Sequence, residues 1–340
     1  MKAIVYSQTG PAEVLELIER EPPAPGAGEV RVRVAVSGVN PTDWKSRAAD
    51  PGRALERPQV PNQDGAGVVD AVGAGVDGLA PGQRVWLWDA AWRRADGTAQ
   101  ELVVLPARQA VALPDGASFE LGAALGIPAL TAHRALTVFD GAPERLAPGA
   151  LAGRTVLVAG GAGAVGHAAV ELARWAGATV IATVSSPRKA ALARAAGADH
   201  VVDYRAEDVV ERVGGLAPDG VDLVVEVNPN ANAAADVRLL AQGGTVAIYA
   251  DAGEPDVPIP VRASMVRNVR WQFILTYTTT PAQKDAAVAA VAAAVADGAL
   301  RVGEEAGLPL TRFPLERTAD AHRAVEDGAV GKVLVDVAPG

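Results

Sequence analysis

One glycine-rich stretch has the residue spacing of a phosphate-binding loop. "VLVAGGAGAVGHAAVEL" contains the pattern G-x-G-x-x-G as Gly161, Gly163 and Gly166, between an apolar run and a sequence with helical periodicity. Glycine lets the backbone approach a pyrophosphate, and the N–H groups at the start of the next helix stabilise its charge. We therefore predict a dinucleotide site at this loop. A tight strand-to-helix turn without a ligand is the alternative.

The same glycine spacing occurs a second time, as Gly73, Gly75 and Gly78 in "VGAGVDGLAPGQRV". Here Pro81 and Gly82 follow, so the sequence continues into a turn and not into a helix. With 36 glycines in the chain, the spacing alone is weak evidence. We interpret this copy as a structural loop.

The stretch "ATVSSPRKAAL" lies about 20 residues after the Gly161 loop, where the second strand of a dinucleotide site should end. A site for NAD has Asp or Glu there, which accepts a hydrogen bond from the ribose 2′-hydroxyl. This stretch instead contains Ser185, Ser186, Arg188 and Lys189, which could bind a 2′-phosphate. The alternative is an ordinary helix start, with Ser186 capping a helix that begins at Pro187.

The elements that would position these residues follow two patterns. Before about residue 120, short β-branched runs alternate with Gly and Pro turns, and one strand face carries Val30, Val32, Val34 and Val36. Beyond it, strands such as "RTVLVAGG" and "TVIATVSS" alternate with helices such as "AVGHAAVELARWAGA". This alternation predicts an α/β domain with a parallel sheet, inserted into a β-rich module that ends with the strand "GKVLVDV".

Composition excludes several classes of protein. The chain has 340 residues and a formal net charge of -9, which argues against a nucleic-acid partner. It contains no cysteine, so it has no disulfide, thiolate nucleophile or sulfur-ligated zinc. The N-terminus lacks the apolar run of a signal peptide, and no later apolar segment reaches about 18 uncharged residues. We expect a soluble cytoplasmic protein that does not bind membranes.

Together these motifs resemble the medium-chain dehydrogenase/reductase superfamily, and within it the zinc-free, zeta-crystallin-type NADPH:quinone oxidoreductases. The resemblance covers nearly the whole chain and includes "GPAEVLEL", "SGVNPTDWK", "VPNQDGAGVVDAVGAGV", "GIPALTAHRAL", "GADHVVDY" and "LLAQGGTVAIYA". It implies a GroES-like β-rich catalytic domain of residues 1–122 and 270–340, and a doubly wound Rossmann domain of residues 123–269 that binds NADPH. It also implies a homodimer, or a homotetramer built from two dimers joined at the edge of the Rossmann sheet.

The resemblance also implies that no catalytic metal is bound. In the zinc alcohol dehydrogenases of the superfamily, metal ligands occupy the positions of Asn40, Gln63 and approximately Ile127, and none of these three residues is a strong zinc ligand. The histidines of this chain show no ligand spacing; they are His133, His167, His200 and His322.

The cofactor contacts of the family fall on three groups of residues. The pyrophosphate loop corresponds to Ala162, Gly163, Ala164 and Val165, within the glycine pattern that runs from Gly161 to Gly166. The contacts to the 2′-phosphate and adenosine correspond to Ser185, Lys189 and Tyr204. The residues bordering the nicotinamide correspond to Asn230, Ile248 and Tyr249.

The implied reaction is hydride transfer from NADPH to a small quinone or α,β-unsaturated carbonyl. Such acceptors delocalise the negative charge they gain, so hydrogen bonds can stabilise it without a metal. The candidate donors are Asn40, Thr42, Lys45 and Thr131, and Asp43 would orient Lys45. Thr42 and Asp43 could equally be polar turn residues after a strand.

Two other functions stay open. The first is an enoyl or alkenal reductase, and the second is an NADPH-binding regulatory or structural relative with little turnover. Many family members have Tyr at the position of Lys45, so this residue is a departure from the family pattern.

Overall fold

The computed structural model describes residues 1–251, 253 and 256–337. The chain forms two compact units, one of Met1–Ile127 with Leu310–Gly340 and the other of Pro128–Pro309. Helix α2 (Phe119–Ala135) contains the first boundary. None of the helices in the described ranges is long and apolar enough to cross a membrane.

The first unit is mostly β-structure with two further helices. Its strands are β1 (Lys2–Gln8), β2 (Glu16–Glu19), β3 (Glu29–Val39), β4 (Ala54–Gln59), β5 (Asp64–Val72), β6 (Arg84–Leu87), β7 (Leu102–Pro106), β8 (Ala110–Ala112), β15 (Leu310–Pro314) and β16 (Lys332–Asp336); its helices are α1 (Pro41–Ala48) and α9 (Thr318–Glu326). A seven-stranded sheet has the order β15-β16-β3-β5-β6-β8, with β7 also paired to β3, and a three-stranded sheet has the order β2-β1-β4.

Strand β3 lies at the centre of the larger sheet. The valines that the sequence places on one face, Val30, Val32, Val34 and Val36, are all buried. Beside it, the closing strand β16 pairs antiparallel with the end of β3, so that Val333 lies opposite Val39. The last strand therefore returns to the β-rich module, as the sequence predicts.

Helix α1 follows β3 directly and was not predicted as a helix. Asn40 precedes it, Pro41 is its first residue, and the carboxylate of Asp43 accepts a hydrogen bond of 2.7 Å from the Asn40 backbone N–H. This capping contact satisfies a backbone donor at the start of the helix, and the Asp43 N–H donates to the Asn40 backbone carbonyl. Thr42 and Asp43 thus belong to the first turn of a helix.

The second unit contains a six-stranded parallel sheet flanked by helices. Its strands are β9 (Thr155–Ala159), β10 (Thr179–Val184), β11 (His200–Asp203), β12 (Val221–Glu226), β13 (Leu240–Ile248) and β14 (Arg270–Phe273); its helices are α3 (Ala164–Trp175), α4 (Pro187–Ala195), α5 (Val209–Leu216), α6 (Pro229–Leu239), α7 (Val261–Arg267) and α8 (Pro281–Ala296). The order β11-β10-β9-β12-β13-β14 is the 3-2-1-4-5-6 order of the Rossmann fold.

The second domain boundary differs from the predicted position at residue 270. Strand β14 pairs in parallel with β13 over Thr245–Ile248, so it extends the Rossmann sheet. The chain returns to the first unit only at Leu310, and residues 270–309 belong to the second unit. A four-residue strand gives too short an apolar pattern to reveal which sheet it joins.

Candidate active site

The glycine loop of the second unit lies at the carboxyl end of β9, beside the point where the strand order reverses. A Cβ added at Gly161 would lie 2.8 Å from the Cβ of Ala182, and one added at Gly166 would lie 2.3 Å from the carbonyl oxygen of Gly160. Gly163 precedes the first turn of α3. Glycine is therefore required for close packing at two positions, and the loop fits a pyrophosphate at the N-terminus of α3.

The second glycine pattern is a structural loop. It follows β5 and leads into β6, and both Gly75 and Gly78 have positive φ. A Cβ at Gly73 would lie 1.7 Å from the carbonyl oxygen of Gly26, so this glycine is required by chain packing. As predicted, no helix N-terminus follows.

Ser185 and Lys189 meet at the carboxyl end of β10, the neighbour of β9. The Lys189 Nζ donates a hydrogen bond of 3.1 Å to the Ser185 hydroxyl. Ser186 caps α4, because its hydroxyl accepts a hydrogen bond of 3.3 Å from the Lys189 backbone N–H. The capping interpretation is thus confirmed for Ser186, while Ser185 and Lys189 direct a hydroxyl and an ammonium group to the same point.

Tyr204 and Arg188 lie at the same corner of the sheet. The Tyr204 backbone N–H donates a hydrogen bond of 3.0 Å to the carbonyl of Val184, and the Tyr204 side chain is 52% exposed. Arg188 is largely exposed and its guanidinium lies 3.9 Å from a carboxylate oxygen of Glu304. Three predicted 2′-phosphate and adenosine contacts, Ser185, Lys189 and Tyr204, are therefore clustered.

The predicted nicotinamide-side residues lie at the ends of β12 and β13. Ile248 is the last residue of β13, and the Tyr249 backbone N–H donates a hydrogen bond of 3.1 Å to the Glu226 carbonyl. Asn230 lies in the first turn of α6, and its side chain donates a hydrogen bond of 2.6 Å to the Asp256 carbonyl. These residues share the carboxyl edge of the sheet with the glycine loop, as expected for a Rossmann site. Thr131 lies in α2 and is buried.

Two buried carboxyl groups at this edge were not found from the sequence. Glu226 ends β12, and the Asn232 amide donates to its two carboxylate oxygens at 3.1 and 3.2 Å. Burial raises the pKa of Glu226. Burial, together with the adjacent negative charge of Glu226, raises the pKa of Asp236 to about 9. The Glu226–Asp236 pair therefore favours retaining a proton at neutral pH.

In the first unit, Asn40 belongs to a buried cluster with Asp64 and Lys332. The Lys332 Nζ donates a hydrogen bond of 2.7 Å to Asn40 Oδ1 and lies 3.3 Å from Asp64 Oδ2. The Asn40 Nδ2 donates a hydrogen bond of 2.7 Å to Asp64 Oδ2. All three residues are at most 2% exposed. Both ends of the Asn40 amide are therefore held by the chain itself.

Further contacts tie Asp64 to its surroundings. Its Oδ1 accepts a hydrogen bond of 2.8 Å from the Ile127 backbone N–H, and a Cβ at Gly126 would lie 2.1 Å from the same oxygen. Burial raises the pKa of Asp64 in spite of Lys332, and burial with the charge of Asp64 raises the pKa of Asp43 to about 8. Asp64 and Lys332 were missed in the sequence. The available signal was a lysine at the start of the apolar run "KVLV".

The residues at the three positions where zinc alcohol dehydrogenases have metal ligands make other contacts in this chain. Asn40 is bound by Lys332, and Ile127 contributes only its backbone N–H to Asp64. Within the described residues, no group of three or more His, Cys, Asp or Glu side chains could hold a metal ion. Three histidines are buried and hydrogen-bonded to the protein, as expected for structural residues; they are His133, His167 and His322.

Gln63, at the remaining one of these three positions, lines a cavity of about 640 Å³ in the first unit. Its Oε1 accepts a hydrogen bond of 3.0 Å from the Ala91 backbone N–H, which sets the orientation of the amide. The Nε2 has no hydrogen-bond partner among the residues that the structure describes, so it can donate to a ligand. Lys45 is exposed on α1, and its neighbour Ser46 lines the cavity.

Two sequence families match these units. Residues 26–115 match the alcohol dehydrogenase GroES-like domain, and residues 164–302 match the zinc-binding dehydrogenase family. A quinone oxidoreductase from Rattus norvegicus is 30% identical over 98% of this chain and 97% of its own length. The chain belongs to the zeta-crystallin-type medium-chain dehydrogenases/reductases.

Solved structures of this superfamily have the same fold as the chain. An NAD-dependent alcohol dehydrogenase is 30% identical, with a TM-score of 0.84 over 99% of this chain and 100% of that chain. The Escherichia coli quinone oxidoreductase complexed with NADPH is 25% identical, with a TM-score of 0.80 over 99% of this chain and 100% of that chain. As a zeta-crystallin-type family member, the protein is an oxidoreductase with a GroES-like and a Rossmann domain.

Proposed function

We propose that the protein reduces quinones or α,β-unsaturated carbonyl compounds with NADPH, by direct hydride transfer and without a metal ion. The observation that carries the proposal is the Ser185–Lys189 pair at the end of β10, next to the glycine loop. The quinone oxidoreductase from Rattus norvegicus and the Escherichia coli enzyme complexed with NADPH support the same reaction class.

The second unit offers a matching set of groups for NADPH. The loop from Gly161 to Gly166, with Ala162, Ala164 and Val165, would hold the pyrophosphate at the start of α3. Ser185 and Lys189 would bind the 2′-phosphate, with Ser186, Arg188 and Tyr204 beside them, and Asn230, Ile248 and Tyr249 would border the nicotinamide. When bound, NADPH supplies the hydride. The chain's own groups bind and orient the cofactor and stabilise charge on the acceptor.

Metal independence is supported by the Lys332 cluster. The ammonium group of Lys332 is hydrogen-bonded to Asn40 and lies 3.3 Å from Asp64, so a fixed positive charge already balances the carboxylate. A divalent cation there would be repelled by Lys332 and would meet only weak ligands. We expect activity to survive dialysis against EDTA unchanged, and added zinc to give no increase.

Hydrogen-bond donors would stabilise the negative charge that develops on the acceptor. The proposed catalytic donors are Lys45, Thr131 and Gln63, whose Nε2 faces the cavity, while Asn40, with one amide hydrogen bonded to Asp64, contributes through its second amide hydrogen. The negative charge of an enolate, or of a reduced quinone, is delocalised and needs less stabilisation than that of an alkoxide. Hydrogen-bond donors of this kind therefore suffice.

The test is NADPH oxidation by the purified protein with 1,4-naphthoquinone and with a conjugated enone, each repeated with NADH. We expect turnover with NADPH and much poorer use of NADH. Equal use of both cofactors would contradict the proposed role of Ser185 and Lys189. The comparison with NADH is needed because one structure with the same fold is an NAD-dependent alcohol dehydrogenase. A strong preference for the enone would favour an enoyl or alkenal reductase, and NADPH binding without turnover would favour a regulatory relative.

We also propose a homodimer, or a homotetramer of two such dimers, formed at strand β14. This strand is at the edge of the Rossmann sheet, and large apolar side chains on it and near it are exposed. These residues are Val261, Met265, Val266, Phe273 and Leu275, each at least 53% exposed. An unprotected apolar edge strand favours pairing with another chain.

A further inference from the structure

The cavity that contains Gln63 is unusually basic for an acidic protein. The whole chain has a net charge of -9, yet the cavity is lined by Arg53, Arg57, Arg93 and Arg94. The lining carboxyl groups are only those of Glu56 and the buried Asp43. Positive charge is therefore concentrated at this cavity.

Three of these arginines have no acidic partner in the part of the chain that the structure describes. Among the described residues, Arg53, Arg57 and Arg93 form no ion pair, and all three are exposed. Other arginines of the same unit are paired; Arg20 lies 2.6 Å from Asp96, for example. Since arginine binds planar anions in a bidentate manner, unpaired guanidinium groups around a cavity are suited to an anionic ligand.

Two residues of the cavity lining have a left-handed backbone conformation. Arg93 has a φ of 56° and Asn62 a φ of 77°, both in the left-handed region, which asparagine tolerates and arginine rarely adopts. Asn62 is anchored by hydrogen bonds to Ser37 at 2.9 Å and to His322 at 3.0 Å. Conformations of this kind persist only where surrounding contacts impose them, and they are concentrated at ligand sites.

Aromatic side chains accompany the arginines. Tyr6 and Trp92 line the cavity, and the Arg93 guanidinium lies 5.5 Å from the centre of the Trp92 ring. A volume of about 640 Å³ is within the usual range for small-molecule sites and can hold a bicyclic ring with a substituent. The cavity thus combines apolar faces, one free amide donor at Gln63 and several cations.

We propose that the physiological substrate is an anion: an aromatic quinone or conjugated carbonyl compound that carries a carboxylate, sulfonate or phosphate group. The arginines bind the charged group, and Gln63 Nε2 donates to an oxygen of the ligand. This proposal rests on the proposed reductase function. It adds the charge of the substrate, because hydride transfer itself does not require an anionic acceptor.

The test compares 1,4-naphthoquinone with 1,4-naphthoquinone-2-sulfonate as acceptors. The two compounds differ in intrinsic reactivity, so the measured quantity is kcat/KM for the sulfonate divided by kcat/KM for the neutral quinone in each protein variant. We expect the double variant Arg53→Gln/Arg57→Gln to lower this ratio about tenfold or more, because two charge-assisted contacts to the sulfonate are lost. The matched control is Arg33→Gln, which removes an exposed arginine of β3 that does not line the cavity.

Ionic strength provides a second readout. In the wild-type protein, the KM for the sulfonate is expected to rise with salt, whereas that for the neutral quinone stays nearly constant. A ratio unchanged in the double variant, or lowered equally by Arg33→Gln, would overturn the proposal.

Failure of the reductase function can be recognised separately. If neither quinone is reduced, the affinity of each compound is measured by calorimetry in wild-type protein and in the double variant. Tighter binding of the sulfonate that the double variant loses would support the anion site while rejecting the reductase. Equal affinities in both proteins would reject the anion site.

Discussion

Lys332, the first residue of the closing strand, donates a hydrogen bond of 2.7 Å to Asn40, which follows the central strand of the same sheet. Both side chains are almost completely buried. The antiparallel pairing of β16 with β3 brings the two residues together. This contact and the adjacent Asp64 carboxylate keep the Asn40 amide in one orientation.

Lys332→Met is expected to destabilise the protein by about 3–5 kcal/mol, because it leaves the buried Asp64 carboxylate without its cation. The measurement is chemical denaturation at neutral pH. Adding Asp64→Asn removes the uncompensated charge, so the double variant should be more stable than Lys332→Met alone. A loss below about 1 kcal/mol in the single variant would mean that the pair contributes no more than a surface ion pair.

Lys189→Glu is expected to raise the Kd for NADPH about tenfold or more while changing that for NADH little, because a carboxylate would repel the 2′-phosphate. Cofactor fluorescence titration measures both constants. Arg194→Glu is the matched control, since it makes the same change of charge at an exposed position of the same helix. The 2′-phosphate assignment fails if both variants weaken NADPH equally.

Gly163→Ala and Gly166→Ala distinguish a cofactor loop from a ligand-free turn. At Gly166 the new Cβ would lie 2.3 Å from a backbone oxygen, so we expect a loss of stability of about 1–3 kcal/mol. At Gly163 the nearest atom is 3.5 Å away, so stability should hardly change. Thermal denaturation and NADPH titration are the measurements. If Gly163→Ala binds NADPH as wild type does, the backbone at that position does not approach the pyrophosphate.

The Glu226–Asp236 pair predicts a specific dependence of stability on pH. Burial and their mutual repulsion raise the pKa of the pair, that of Asp236 to about 9, so the folded protein keeps a proton that the unfolded chain releases near the ordinary pKa of a carboxyl group. The free energy of unfolding therefore falls as pH rises between about 4 and 9, by at most about 1.4 kcal/mol per pH unit for one proton. The raised pKa of Asp43 acts in the same direction up to about pH 8.

Asp236→Asn is expected to remove the part of this pH dependence that Asp236 contributes, because an amide does not titrate. Denaturation at pH 5 and pH 8 measures it. The variant should lose less stability than wild type between the two pH values. An identical loss would show that Asp236 is ionised in the folded state.

Phe273→Asp is expected to weaken self-association, because it introduces a charge at the exposed end of the edge strand β14. Sedimentation velocity gives the oligomeric state. Tyr204→Asp is the control, since it changes an exposed aromatic residue at the other end of the sheet. A protein that is monomeric before any substitution would reject the proposed dimer.

Local patterns were sufficient for most of the fold. Alternation along β3 and the strand–loop–helix context of Gly161 predict elements that the structure contains, because their signal lies within one segment. Helix α1 was missed because Asn40–Asp43 is equally compatible with a polar turn, and the hydrogen bond from the Asn40 N–H to Asp43 is known only from the structure. Residue 270 was assigned to the wrong unit because a short strand does not reveal its neighbour.

The amino-acid sequence by itself determined the two-domain family, the glycine loop and the replacement of an acidic residue by Ser185 and Lys189. Each of these depends on residue types at short spacing. Only the tertiary structure decided that Lys332 pairs with Asp64, that Gln63 lines a cavity, and that arginines surround this cavity. These relationships join residues from distant segments, and burial and distance, which control their energies, exist only in the folded chain.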